Sequence, residues 1–356
     1  MLTEAYSTTS ANPLRQVARV AYHTVRSGLI LPFALLRYRR TGRVSEVGYQ
    51  ALVWLFCVTG GRVNDALSWL IARLRPPVRL QTTTGVLGDM NDARARDGAE
   101  RLRKDGYMVF ERALPADACA RLNKFAQETP AVVRRMDHEP HDLPRRTALF
   151  DAKAPLAVRY DYETGALLDN ADVQALLADP SLLSLVQAYL GCEPVADVLS
   201  MWWHTAYHTS PDSEAAQYFH FDLDRIKWLK VFIYLTDVGP DNGPHSFVPG
   251  SHQTAGIPSG ILHRGYVRLS DEEVYGRYGK EHCKQFCGPA GSIIVEDTRG
   301  LHKGAHVSGD PRLVLQLQFS NSLFGTSYPD ARMSRVVDPG LKAMIDRAPQ
   351  IYRQYR

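Results

Sequence analysis

Apolar positions follow a helical period in the first part of the chain and an alternating one later. Leu14, Val17, Val20, Ala21 and Val25 recur at helix-like spacing, with Arg15, Arg19 and Arg26 between them, which predicts an amphipathic helix. The apolar run Leu29 to Leu36 meets Arg37-Tyr38-Arg39-Arg40, a second run, Val53 to Val58, stops at Gly60-Gly61, and a third, Val63 to Leu74, stops before Pro76-Pro77. Residues 1–80 therefore read as a basic, apolar helical extension, and the Thr-, Gly- and Asp-rich residues 81–96 as a linker. Ala99 to Lys104 ends a helix at Gly106, a suitable residue just past a helix end. A short strand follows at Tyr107 to Phe110, then a helix from Pro115 to Glu128. Residues 129–170 read as loops with one or two strands, and Ala171–Ala178 and Pro180–Leu190 as two helices. From Val195 the texture becomes alternating and aromatic-rich, which predicts strands at Val198–Tyr207, Ala216–Asp222, Trp228–Thr236, Ser246–Val248, Ser292–Glu296 and Arg312–Phe319. Asp241-Asn242-Gly243-Pro244 marks a turn, and Ser270 to Glu273 a capping box. Short strands at this spacing predict a mostly β core with helices (α+β), a sandwich or barrel rather than a parallel sheet.

Charge changes the picture of the extension. The 356 residues carry a net +4, but residues 1–80 hold eleven Arg and no Lys against Glu4, Glu46 and Asp65, a local +8. A basic arm on a slightly acidic body points to an anionic surface. Its high apolar content and lack of Lys favour membrane over nucleic acid. Two readings follow: helices packed on the main domain or a second subunit, or peripheral membrane contact through residues 14–75 with Arg at headgroup level. No leader pattern stands at the start and no apolar run reaches the roughly 20 residues of a spanning helix. The five cysteines, Cys57, Cys119, Cys192, Cys283 and Cys287, are odd in number and scattered. Cys283 and Cys287 with His282 lack the fourth ligand of a structural zinc, so free thiols in a reducing compartment are expected. Together these features predict a cytoplasmic or membrane-peripheral protein.

The candidate chemistry lies in Tyr218-Phe219-His220-Phe221-Asp222. Residues two apart on a strand share a face, so His220 and Asp222 stand side by side. His302, leading out of the later strand Ser292–Glu296, supplies the second imidazole, with His306 its rival and Asp224 the rival of Asp222. Two His and one carboxylate form the facial triad that binds Fe(II) with open positions. Such a site needs a reductant for oxygen, and a 2-oxo acid chelated to iron supplies it. Its far carboxylate needs a planar bidentate cation, and Arg312 opens a strand ten residues after His302. His204 and His208 lie on an expected strand, where four residues span too far for a second metal.

These pieces resemble the phytanoyl-CoA dioxygenase family. The resemblance rests on Lys104-Asp105-Gly106-Tyr107, His220-Phe221-Asp222, Asp241-Asn242-Gly243-Pro244, Pro249-Gly250-Ser251-His252, Gly291 to Val295, His302 and Arg312. It covers residues 97–325 and implies a double-stranded β-helix, a jelly-roll of two sheets, followed by a tail at 326–356. It implies that His220, Asp222 and His302 hold Fe(II), that Arg312 clamps 2-oxoglutarate, and that Phe232 and Tyr234 stand near it. O2 would be the co-substrate and hydroxylation the expected reaction, with desaturation or ring closure as variants. Trp203 and His245 are candidate substrate contacts, and His252 belongs to a structural turn. Ser292 stands where the family often has an acid, and residues 1–90 have no counterpart in the family pattern. The family name does not fix a CoA substrate, and a small-molecule, lipid or lipid-linked substrate is expected. The competing class is a non-catalytic jelly-roll binding module.

Overall fold

The computed structural model describes residues 13–134, 146–213 and 215–356, without the side chains of Pro13 and Leu14. The Leu14 side chain and residues 135–145 of the 129–170 loop region named above thus fall outside the description. The chain opens with three helices, α1 (Pro13–Thr41), α2 (Glu46–Thr59) and α3 (Arg62–Leu74). Ser45 caps α2 by accepting from the Gly48 N–H, and Gly60 ends it in the left-handed conformation. α2 is apolar on most of its surface and is buried on two sides. Leu52, Trp54 and Leu55 pack toward Leu31 and Ala34 of α1, while Val53, Phe56 and Cys57 pack on Phe219, Phe221 and Leu223. The extension therefore packs on the rest of the chain.

The expected linker is also structured. A two-residue ladder, β1 (Thr84–Gly85) with β2 (Gly88–Asp89), is pinned where the Val86 N–H donates to Asp179 at 2.9 Å. The next helix, α4 (Asp92–Asp105), starts inside the linker's expected range because Asn91 caps it. Then come β3 (Tyr107–Phe110), α5 (Ala116–Glu128), β4 (Ala131–Val133), β5 (Arg146–Ala148) and β6 (Arg159–Asp161). Three helices follow, α6 (Thr164–Leu168), α7 (Ala171–Leu177) and α8 (Pro180–Leu190). The remaining strands are β7 (Val195–His204), β8 (Trp228–Tyr234), β9 (His245–Phe247), β10 (Lys284–Phe286), β11 (Ile293–Glu296), β12 (His302–Gly304) and β13 (Arg312–Ser320). Residues 326–356 carry one more helix, Pro339–Arg347. They bury Ile351, Tyr352 and Tyr355 in the main core, so they are more than a tail.

The strands form an antiparallel eight-stranded sheet, in the order β3-β11-β8-β13-β7-β6-β4-β5, and a three-stranded sheet, β10-β9-β12. The small sheet is extended by single bridges, Phe219 to Leu269 and His220 to His302. The expected strand Ala216–Asp222 is reduced to this two-residue contact, because β12, which it pairs with, is itself only three residues long. Alternation sorts the large sheet's side chains. Leu229, Val231, Ile233, Leu313, Leu315 and Leu317 face the helices in the main core. Trp202, Phe232, Tyr234, Ile294 and Val314 face inward with Phe247 and Phe286 of the small sheet. Two facing antiparallel sheets with helices outside make a double-stranded β-helix, and its interior is where polar side chains gather.

Candidate metal centre

His220 and His302 are cross-strand partners. Each N–H donates to the other's carbonyl, at 2.9 and 2.8 Å, so their side chains leave the same face. Their rings are 4.3 Å apart. Asp222, two residues on, shares that face, and its own N–H donates to the Thr298 carbonyl at 2.8 Å. The Nδ1 of His220 lies 2.9 Å from the Tyr218 carbonyl, and that of His302 lies 3.0 Å from the Gly300 carbonyl. These acceptors place the proton on Nδ1 and leave each Nε2 lone pair free, as a histidine that ligates a metal through Nε2 requires. Those Nε2 atoms approach the Asp222 carboxylate, at 3.8 Å from His220 and 3.4 Å from His302. One ligand atom from each of the three lies within 4.8 Å of the others, and all three side chains are buried. Burial holds the His220 and His302 pKa values below the ordinary imidazole range, so both rings are neutral and ready to ligate at neutral pH. The donor set fits Fe(II).

The rivals fall away on geometry. Asp224 sits on Lys230 at 3.3 Å, and His306 is outside the cluster. Lys230 itself is a residue the sequence reading missed. Its ammonium lies 2.6 Å from Asp222 Oδ2 and bridges that carboxylate to Asp224. Burial pushes the Asp222 carboxyl up, but Lys230 and the two histidines outweigh this and hold it far below the usual carboxylate range. The available signal was a single Lys on the inward face of the otherwise apolar strand β8.

Arg312 opens β13 and is 2% exposed. Its Nη1 donates to the Gly243 carbonyl, and its Nη2 donates to His204 Nδ1 at 2.9 Å. Its Nε has no partner, nor do the neighbouring Trp202 Nε1 and His204 Nε2. Unpaired buried donors are costly, and a cluster of them beside a guanidinium suits an anion with several acceptor oxygens, as a 2-oxo dicarboxylate has. Tyr234, on β8, lies with its ring 6.0 Å from the Arg312 guanidinium; its hydroxyl donates to the Phe286 carbonyl and accepts from the His245 N–H, both at 2.9 Å. Phe232 packs on the His245 ring at 4.5 Å.

Two further expectations are settled by the sheet's alternation. Trp203 does not line the site. It points to the helical core, stacked on Phe150 at 4.2 Å with its Nε1 donating to the Tyr162 hydroxyl. Its neighbour Trp202 is the inward one. His245 does face inward, 5.7 Å from the His302 ring, but its Nε2 is held by Glu296 at 2.9 Å. Burial pushes Glu296 up to about 8 and His245 down to about 3, so this is a buried pair behind the His302 ring. Tyr266 stands on the other side, its ring 6.3 Å from that of His220.

Comparison with known proteins gives the chain's relatives. The phytanoyl-CoA dioxygenase family model matches residues 102–314. Ectoine dioxygenase of Bordetella parapertussis is 24% identical over 292 residues, covering 75% of this chain and 86% of that protein. Ectoine dioxygenase of Stutzerimonas stutzeri is 26% identical over 232 residues, covering 58% and 70%. Among solved structures, the non-heme alpha ketoglutarate dependent epimerase SnoN from nogalamycin biosynthesis aligns with a TM-score of 0.47 at 19% identity, covering 70% of this chain and 93% of that one. EctD from S. alaskensis aligns with a TM-score of 0.45 at 21% identity, covering 74% and 92%. The family match spans more than half of the chain and takes in both histidines, Asp222 and Arg312, and the chain belongs to the phytanoyl-CoA dioxygenase family of iron- and 2-oxoglutarate-dependent oxygenases.

Proposed function

We propose that this oxygenase hydroxylates a small-molecule or lipid-linked substrate. In this reading His220, Asp222 and His302 are the iron ligands and Arg312 is the clamp for the distal carboxylate of 2-oxoglutarate. The observation that supports it most is the pair of Nε2 lone pairs turned onto one carboxylate by backbone acceptors. When bound, iron would activate O2, the oxidant, with 2-oxoglutarate giving up two electrons as it becomes succinate and CO2 and the substrate giving up the other two. The chain's own contribution is positional. Asp222 offers one charged carboxylate, whose second oxygen is engaged by Lys230. Arg312 and the unpaired Trp202 and His204 donors orient the co-substrate, and Phe232, Tyr234 and Ile294 keep the interior apolar. The non-catalytic reading is not favoured, since the triad and Arg312 are all in place.

The test is succinate release by anaerobically iron-loaded protein on exposure to O2, together with iron and 2-oxoglutarate binding. Wild type should exceed His220→Ala and Arg312→Ala. Iron binding should fail only in His220→Ala, and 2-oxoglutarate affinity should fall at least tenfold in Arg312→Ala. A wild-type protein that binds neither iron nor 2-oxoglutarate would sink the assignment.

A second reading concerns where the enzyme works. Val17, Tyr22, Val25, Leu29, Phe33 and Leu36 of α1 are exposed, Phe33 by 74%, and the last five share one face of the helix. α1 carries six arginines and no acid. This supports peripheral contact with an anionic bilayer and a substrate presented there. Co-sedimentation with phosphatidylglycerol vesicles should be lost in Leu29→Asp/Phe33→Asp. Equal sedimentation of the variant and wild type would remove the idea.

A further inference from the structure

The loop that runs into Leu269 forms one edge of the metal centre. Leu269 and Phe219 are cross-strand partners, each N–H donating to the other's carbonyl, at 2.8 and 3.1 Å. One step along this antiparallel pairing Arg268 stands opposite His220, and directly opposed side chains leave the same face. Alternation agrees. Val267 and Leu269 pack with Phe219 and Phe221 in the apolar cluster behind the strand, so Tyr266 and Arg268 turn to the side of His220 and Asp222. The Tyr266 ring, half-exposed, lies 6.3 Å from the His220 ring, and the Arg268 guanidinium lies 5.1 Å from the Tyr266 ring. The charge of Arg268 bears on the His220 imidazole. Arg268 makes no hydrogen bond or ion pair among the described residues. Its Nη1 is buried without a partner, and the residue as a whole is only partly covered. The acids around it are taken by other cations: Asp222 and Asp224 by Lys230 at 2.6 and 3.3 Å, Glu273 by Arg264 at 2.9 Å, and Asp271 by Lys303. Nor is Arg268 placed for 2-oxoglutarate. It flanks His220 on the side away from His302. Arg312 stands past His302, beside Tyr234, whose hydroxyl meets the His245 N–H of β9.

We propose that Arg268 is the anchor for an anionic substrate: the molecule oxidised at this centre carries a carboxylate or phosphate group, held at its mouth by the guanidinium with Tyr266 alongside. This rests on the oxygenase reading above and names the substrate class for it. A guanidinium presents parallel N–H donors that match either oxyanion. A partly buried donor with no partner is costly to leave unmatched, and a neutral substrate would leave it so. Because Arg268 and His220 are neighbours across the sheet, an oxyanion on Arg268 sets the adjoining carbons of the same molecule over the ligand cluster, on the side away from Arg312.

Anaerobic calorimetric titration of the full chain, loaded with Fe(II) and saturated with 2-oxoglutarate, tests the assignment with benzoate, phenyl phosphate and the neutral benzamide. Wild type should bind at least one of the anions tenfold or more tightly than benzamide. Tighter benzoate marks a carboxylate substrate, and tighter phenyl phosphate a phosphate ester. Arg268→Gln should lose the preference for anions while its affinity for 2-oxoglutarate stays within twofold of wild type. If Arg268→Gln does not fold, Arg268→Lys, which keeps the charge but not the fork, should weaken the preferred anion at least threefold and leave benzamide unchanged. The proposal is overturned if wild type shows no preference for either anion, if Arg268→Gln retains the preference, if Arg268→Lys binds the anions as wild type does, or if raising 2-oxoglutarate weakens the anions, which would place them on Arg312. Iron and 2-oxoglutarate binding by the same samples separates the two failures. A wild type that binds both but shows no anion preference overturns this proposal alone, and one that binds neither overturns the oxygenase reading and this proposal with it.

Discussion

Arg312 is held from behind before any ligand reaches it. Its Nη1 is fixed by the Gly243 carbonyl, and Gly243 has a φ of +69° in a turn where an added Cβ would meet the Ala305 carbonyl oxygen at 2.6 Å. Gly243→Ala must move that turn, at a cost of about 1–3 kcal/mol, and the carbonyl moves with it. The expected result is a lower urea midpoint and a raised KM for 2-oxoglutarate with iron affinity unchanged; a KM equal to wild type would mean that the carbonyl does not orient the guanidinium. Lys227 makes a different prediction. Its folded pKa of about 8 lies below its ordinary value of 10.5, so between pH 8 and 10.5 the unfolded chain holds the proton and the folded chain does not. Stability then rises with pH across that window. Lys227→Met removes a charge whose burial outweighs the pull of Asp297 and Asp65 and should be more stable than wild type at pH 7, by up to about 3 kcal/mol, with the gap closing by pH 10.5. Parallel urea melts at pH 7, 9 and 10.5 read this, and a constant gap would mean that the ammonium has a partner. At this scale the sequence showed what spacing encodes. His220 and Asp222 are two apart and Arg312 follows His302 at short range, so they could be found by pattern. Lys230 reaches Asp222 only because β8 folds back beneath it, and the choice between Trp202 and Trp203 turns on one residue of strand phase.

Helices α2 and α3 were legible as apolar runs, but nothing local says what an apolar helix covers. α3 is tied to the jelly-roll by side chains that read as ordinary polar positions. Asn64 Nδ2 donates to the Ile226 carbonyl at 3.1 Å, and Asn321 Nδ2 donates to Ser68 Oγ at 3.1 Å. Asn64 is 2% exposed, so Asn64→Ala leaves the Ile226 carbonyl buried without this donor. The expected cost is about 1–3 kcal/mol, seen as a lower thermal midpoint with 2-oxoglutarate affinity unchanged. A wild-type midpoint would show that α3 docks without this bond. The misread 81–96 segment has the same physical origin. Its Thr, Gly and Asp content resembles a linker, yet its backbone donors are taken by Asp179 and Ser181 at 2.9 Å each. Those partners are some 90 residues away, so composition alone could not reveal them. The tail behaves likewise: the Ala196 N–H donates to the Ile351 carbonyl at 2.7 Å, a pairing between distant parts of the chain.

For the whole molecule, the question is whether the basic extension is an appendage or a wall. Val53, Phe56 and Cys57 cover Phe221, Leu223, Val248 and Leu301, and Phe56 stacks on Phe221 at 6.3 Å between centroids. Phe221 lies between His220 and Asp222 in sequence, and Leu301 precedes His302. Removing residues 1–80 would strip the apolar cover from the backbone that holds all three candidate ligands. Burying one large side chain contributes roughly 1.5–3 kcal/mol, and several lose their cover at once. A chain starting at Gly85 should therefore unfold at a much lower temperature or aggregate, and any folded fraction should bind iron more weakly. For the same reason, that truncation is a poor probe of membrane contact, because it confounds lost lipid binding with lost structure. Leu29→Asp/Phe33→Asp changes only the outward stripe of α1, so its thermal midpoint and iron affinity should match wild type while vesicle binding falls. If the truncated chain instead melts with wild type and keeps its iron affinity, the extension is an appendage, and the packing of α2 on Phe221 contributes nothing to the metal centre.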